Sequence, residues 1–103
     1  MRYIIITLLL LIGVNLSAQE KKAYQLENGS IKVEQFYPSG ELQQVSFYWN
    51  GVGTGTWLKY DEQGNLIAKA KIENGRPIKL FRYEDGITTI IDRKNNSITR
   101  IKP

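Results

Sequence analysis

Cysteine and histidine are both missing from the 103 residues. Without cysteine there is no disulfide framework, no thiol nucleophile and no thiolate metal site. Without histidine, the commonest general base and the commonest metal ligand are lost together. Ser30, Ser39, Ser46 and Ser97 therefore have no imidazole to activate them. The composition points away from catalysis, and no cofactor, no metal and no catalytic residue is expected. A helical period is lacking too: no 3.6-residue apolar pattern follows Ala18, so no helix is expected beyond it. The charge balance is mild, with a formal net charge of +4 and a pI near 9.4. That suits loose attraction to anionic surfaces without demanding it.

Long apolar runs are also scarce. The single one, Tyr3 to Val14, is interrupted by Thr7 and Gly13 and falls short of the roughly 20 residues a membrane-spanning helix needs. It follows Met1-Arg2, precedes the small residues of Leu16-Ser17-Ala18, and gives way to Gln19-Glu20-Lys21-Lys22. This is the layout of a secretory signal peptide over residues 1–18, cleaved after Ala18. The expected location is the periplasm or cell surface of a Gram-negative bacterium. No cysteine follows the run, so no lipoprotein anchor is expected.

What the rest of the chain does have is turns at even steps. Gly29, Gly40, Gly51, Gly64, Gly75 and Gly86 are separated by 11, 11, 13, 11 and 11 residues. Most sit in Asn-Gly or Asp-Gly pairs or near Pro and Ser, the residues that accept tight-turn geometry. Asn95-Asn96 supplies one more turn. Between turns the side chains alternate with a period of two, the signature of half-buried strands. Val45, Phe47 and Trp49 oppose Gln44, Ser46 and Tyr48, and Ile31, Val33, Gln35 and Tyr37 oppose Lys32, Glu34 and Phe36. Leu66, Ala68, Ala70 and Ile72 oppose Ile67, Lys69, Lys71 and Glu73. The expected fold is an all-β antiparallel meander of stacked hairpins over 19–103, with strands at about 24–27, 31–37, 42–49, 54–60, 66–73, 77–84, 87–92 and 98–102. Residues 19–23 are expected to fray. The last strand is expected at a sheet edge, where Arg100, Lys102 and Pro103 discourage pairing with another chain.

A 24-residue repeat underlies the spacing. Tyr37, Gly40 and Leu42 are echoed by Tyr60, Gly64 and Leu66, and Gly51 by Gly75. A fixed period of this size marks a repeat architecture. The one irregular step is Gly51-Val52-Gly53-Thr54-Gly55, where three glycines in five residues predict a bulge or a close backbone approach. A phosphate loop is not the reading, because no Lys-Ser/Thr follows and no helix opens after it.

The segment Gly51-x-x-x-Gly55-x-Trp57-x-x-Tyr60-x-x-x-Gly64-x-Leu66, followed by Glu73-Asn74-Gly75, resembles the MORN-repeat variant found in many bacterial proteins. The resemblance covers residues 24–86, with 87–103 as capping strands that lack the Tyr and Gly landmarks. It implies an elongated sheet of stacked hairpins and a scaffold role, with acidic lipid among the ligands of some relatives. Some short exported relatives carry a nucleotidyltransferase label. That chemistry calls for a His-x-Gly-His site on an α/β fold, and this chain has no histidine.

Two classes of function follow. The first is a non-enzymatic binding or scaffold module of the cell envelope, with a protein partner foremost and anionic lipid or polysaccharide second; nucleic acid is not expected. The candidate binding face is Lys59, Lys69, Lys71, Lys79 and Arg82 with Tyr48 and Trp49. The second class is a small carbohydrate hydrolase using acids such as Asp61 and Glu84. Asp61-Glu62 and Glu84-Asp85 are neighbours at expected hairpin tips, where acids commonly serve as solvated turn residues.

Overall fold

The computed structural model describes residues 20–102. The expected signal peptide and its cleavage at Ala18 lie outside the described residues. Eight strands follow one another: β1 (Lys21–Gln25), β2 (Ile31–Phe36), β3 (Leu42–Trp49), β4 (Val52–Tyr60), β5 (Leu66–Glu73), β6 (Arg76–Glu84), β7 (Ile87–Asp92) and β8 (Ser97–Ile101). Each pairs antiparallel with the next in a single sheet ordered β1 to β8. The described residues contain no helix. The all-β meander is therefore the fold, and β8 lies at an edge as expected, with β1 at the other.

Two kinds of turn produce the even spacing. At Asn50-Gly51, Asn74-Gly75 and Asp85-Gly86 both residues have positive φ, between 50° and 80°. These are two-residue hairpins whose mirror-image turns match the strand twist. At Leu26–Ser30, Tyr37–Glu41 and Asp61–Asn65 the turn is wider. The first residue's N–H donates to the fifth carbonyl, and the fourth residue, a glycine, donates to the first carbonyl. This geometry aligns the repeat differently from its tyrosines. Tyr37 occupies the place of Asp61, and Phe36, opposite Leu42, occupies the place of Tyr60, opposite Leu66. Tyr37 instead reaches across the sheet, its hydroxyl donating to the Tyr60 carbonyl at 2.7 Å.

Three further corrections concern strand ends and faces. Lys21, Lys22 and Ala23 do not fray; they pair with Gln35, Glu34 and Val33. The Tyr24 hydroxyl is hydrogen-bonded to Glu34, which holds its pKa above the usual tyrosine value. β4 begins at Val52 rather than 54. Leu66 is separated from Ala68 by a bulge at Ile67, so it pairs with Tyr60 and shares the face of Lys69 and Lys71. A single inserted residue reverses the alternation, which period-two reading cannot anticipate.

The irregular glycine segment contains the largest bulge. Between the pairs Val45–Leu58 and Phe47–Thr54, the single residue Ser46 of β3 faces Gly55, Thr56 and Trp57 of β4. Those three keep their pairing with Ile72, Lys71 and Ala70 of β5. The two extra residues account for the 13-residue step. The Trp57 indole closes the gap, its Nε1–H donating to the carbonyls of Thr54 at 3.0 Å and Phe47 at 3.2 Å. Gly55 lies in the left-handed region, with φ of 77°.

Among the described residues nothing packs over either face of this sheet. The buried apolar residues are Val45 and Ile72, 6% and 5% exposed, and no large side chain is fully buried. The radius of gyration is 16.3 Å, against about 13 Å for a compact chain of 100 residues. Stability therefore rests on cross-strand pairs and filled bulges rather than on a second layer.

Candidate functional site

Because paired residues share a face, the register sorts every strand side chain onto one side or the other. Lys69, Lys71 and Lys79 lie on the first face with Val45, Phe47, Trp49 and Phe81. Lys59 and Arg82 lie on the second, with Tyr48, Trp57, Ala70 and Leu80. The residues expected to form one binding face are thus divided between two. The reason is that strand residues an odd number apart point to opposite sides unless a bulge intervenes.

Most cations of the first face already have partners. Lys69 and Lys79 sit over the Phe81 ring at 4.7 and 5.8 Å, and Lys22 sits over Phe36 at 5.2 Å. Such contacts contribute about 0.5–1 kcal/mol each at exposed sites. Lys32 pairs with Glu34 at 3.6 Å. Lys71 is directly opposite Lys79, a like-charge pairing eased by Lys79 lying over Phe81 and opposite Asp92. At one end of this face Trp49 and Val52 are cross-strand partners, 48% and 46% exposed.

On the second face two rows cross the sheet at right angles to the strands. One runs Lys59, Ala68, Arg82, Thr89, Arg100, each directly opposite the next. The other runs Trp57, Ala70, Leu80, Ile91, Ile98. Arg100 has no place in the sequence-derived candidate face; its position beside Lys59 and Arg82 depends on the register of four strand pairs. Trp57 and Tyr48 meet with ring centroids 5.4 Å apart, tilted by 51°. Beside them is a shallow depression of about 200 Å³, lined by Trp57, Lys59, Ala68, Ala70 and Leu80 among others.

The acids proposed for hydrolysis occupy turns and a strand end. Asp61 Oδ1 accepts from the backbone N–H of Gln63 and Asn65, both at 2.9 Å, and Oδ2 accepts from Asn65 Nδ2 at 3.2 Å. Asp92 does the same for Lys94 and Asn95. Hydrogen bonds from Asn65, opposed in part by desolvation, hold the Asp61 carboxyl below its usual 3.8; Asn95 plays the same part for Asp92, with Lys79 adding a smaller pull. Glu84 ends β6 opposite Ile87. Asn28 is likewise a turn former, its Oδ1 accepting from the N–H and hydroxyl of Ser30.

A carboxyl whose folded pKa lies below its unfolded value contributes stability that is present above the unfolded value and lost as pH falls through the folded one. Thermal melts from pH 6 down to pH 2 should show the Asp61 and Asp92 contributions disappearing below about pH 4. The double variant Asp61→Asn, Asp92→Asn should be less stable at pH 6 yet lose less on acidification. An equal acid loss in both proteins would refute the role of these two carboxylates.

Among the described residues no three acidic side chains gather as a metal site would require. Comparison with protein-family models, with curated proteins and with solved structures finds no match.

Proposed function

We propose that this chain is an exported, non-enzymatic binding or scaffold module of the cell envelope, built on MORN-like repeats. The observation that carries the reading is the single-layer sheet, whose two broad faces are left uncovered among the described residues. Catalytic sites are commonly grafted onto long loops or into clefts. Here the turns are short, and Asp61 is engaged in holding its own turn together. Export is supported by the apolar run and small residues that precede Gln19. A protein partner is the first class, met by exposed side chains such as Trp49 and Val52.

The test is retention of an envelope protein on the immobilised chain. Retention should fall at least tenfold in the variant Trp49→Lys, Val52→Lys. N-terminal sequencing of the envelope form should begin at or near Gln19. Turnover of a carbohydrate that is abolished by Asp61→Asn or Glu84→Gln would overturn the non-enzymatic reading.

A further inference from the structure

We propose that the second face of the sheet binds a linear acidic polysaccharide, laid across the strands from β4 to β8 with its carboxylates on Lys59, Arg82 and Arg100. The proposal rests on the non-enzymatic binding reading above and names a ligand class for one face.

The first support is spacing. Lys59, Arg82 and Arg100 stand on β4, β6 and β8 in one register row, with Ala68 and Thr89 between them. Neighbouring strands are about 4.8 Å apart, so the cations recur at about 9.6 Å over a span of about 19 Å. An extended chain of linked pyranoses advances by roughly one strand spacing per sugar. In a polyuronate, with a carboxylate on each sugar, every second carboxylate would therefore meet a cation on every second strand. The small side chains of Ala68 and Thr89 leave room for the sugars between.

The second support is availability. The cations of the first face are largely engaged by Phe36, Phe81 and Glu34, whereas among the described residues no hydrogen bond, ion pair or ring contact engages the side chains of Lys59, Arg82 or Arg100. All three are exposed. Among strand residues of this face Glu84 is the one carboxylate, so the row faces little competition. Arginine's planar fork suits bidentate carboxylate recognition.

The third support is the adjoining apolar row. Trp57, Leu80, Ile91 and Ile98 run parallel to the cations, and the depression over Ala68 and Ala70 lies between Trp57, Lys59 and Leu80. A sugar chain has apolar C–H surfaces as well as charges, and an aromatic ring beside a polar row offers contact to both. A fluid lipid surface has no fixed repeat for this ladder to match.

The experiment is affinity electrophoresis of the full chain in gels containing polygalacturonate, alginate or neutral dextran. Two triple variants with equal charge loss are compared: Lys59→Gln, Arg82→Gln, Arg100→Gln on the second face, and Lys69→Gln, Lys71→Gln, Lys79→Gln on the first. The wild type should be retarded by at least one of the two polyuronates and not by dextran. The second-face triple should weaken this about tenfold or more and the first-face triple less than twofold. Affinity for oligogalacturonates should rise with length until the oligomer spans β4 to β8 and then level off, and it should weaken with added salt. Equal loss in both triples, no length threshold, or stronger binding to anionic phospholipid vesicles or a single-stranded oligonucleotide would overturn the proposal. Polyuronate indifference with an envelope protein still retained would overturn it while leaving the binding-module reading intact.

Discussion

Replacing Trp57 by alanine is expected to destabilise the sheet by about 3–5 kcal/mol, the largest effect of any single side chain. The indole does two jobs at the β3–β4 bulge. Its ring fills the space beside Tyr48, Gly53 and Ile72. Its N–H donates to two carbonyls of the interrupted ladder, Thr54 and Phe47. Trp57→Phe separates these contributions, because it keeps an aromatic ring and removes the donor. That variant should lose about 1–3 kcal/mol, the cost of leaving part-buried carbonyls unpaired. In a domain of this size each kcal/mol lowers the melting midpoint by about 4–8 °C. Urea and thermal unfolding monitored by far-UV circular dichroism measure both losses. A Trp57→Phe protein as stable as the wild type would show that the N–H does not hold the bulge.

The second large effect is expected at Gly53. A Cβ built there would lie 2.8 Å from Trp57 Cζ2 and 3.3 Å from Cη2, with Ile72 Cγ2 at 3.5 Å. The ring cannot yield without breaking its hydrogen bonds to Thr54 and Phe47. Gly53→Ala should therefore cost about 1–3 kcal/mol through overpacking. The same substitution in a Trp57→Phe background should cost distinctly less, since the smaller ring lacks the clashing atoms. A double-mutant cycle measures that coupling. Gly55→Ala provides the contrast. Its φ of 77° strains any side chain, by about 1–2 kcal/mol, and a smaller aromatic at Trp57 should not relieve that. Additive losses for Gly53→Ala and Trp57→Phe would refute the close approach as the reason for glycine.

Both effects centre on a filled bulge rather than on the nominal core. Val45 and Ile72 are the buried apolar residues of a sheet that has no covering layer among the described residues. A bulge filled by a rigid aromatic supplies dense local packing where a second layer would otherwise do so. It also places Trp57 beside Ala70 and Leu80 on the face where the cation row runs, coupling the stability of the sheet to the shape of that face.

Much of this could be read from the amino acids alone. Asn-Gly and Asp-Gly pairs demand positive φ, so the two-residue turns at residues 50–51, 74–75 and 85–86 were legible, and with them the strands between. Alternation is a local property, and it predicted the opposition of Phe47 and Tyr48 correctly. Three glycines in five residues marked the bulge. What only the tertiary structure decided is which side chains meet across strands. The bulge at Ile67 moved Leu66 to the other face, and pairing placed Tyr37 level with Asp61 in the repeat. The cluster of basic residues between 59 and 82 divides by the parity of each position within its strand, and Arg100 joins Lys59 and Arg82 through four successive registers. The physical reason is that turns and alternation depend on neighbours in the chain, whereas a row across a sheet depends on hydrogen-bond register between strands, where one extra residue reverses every later side chain.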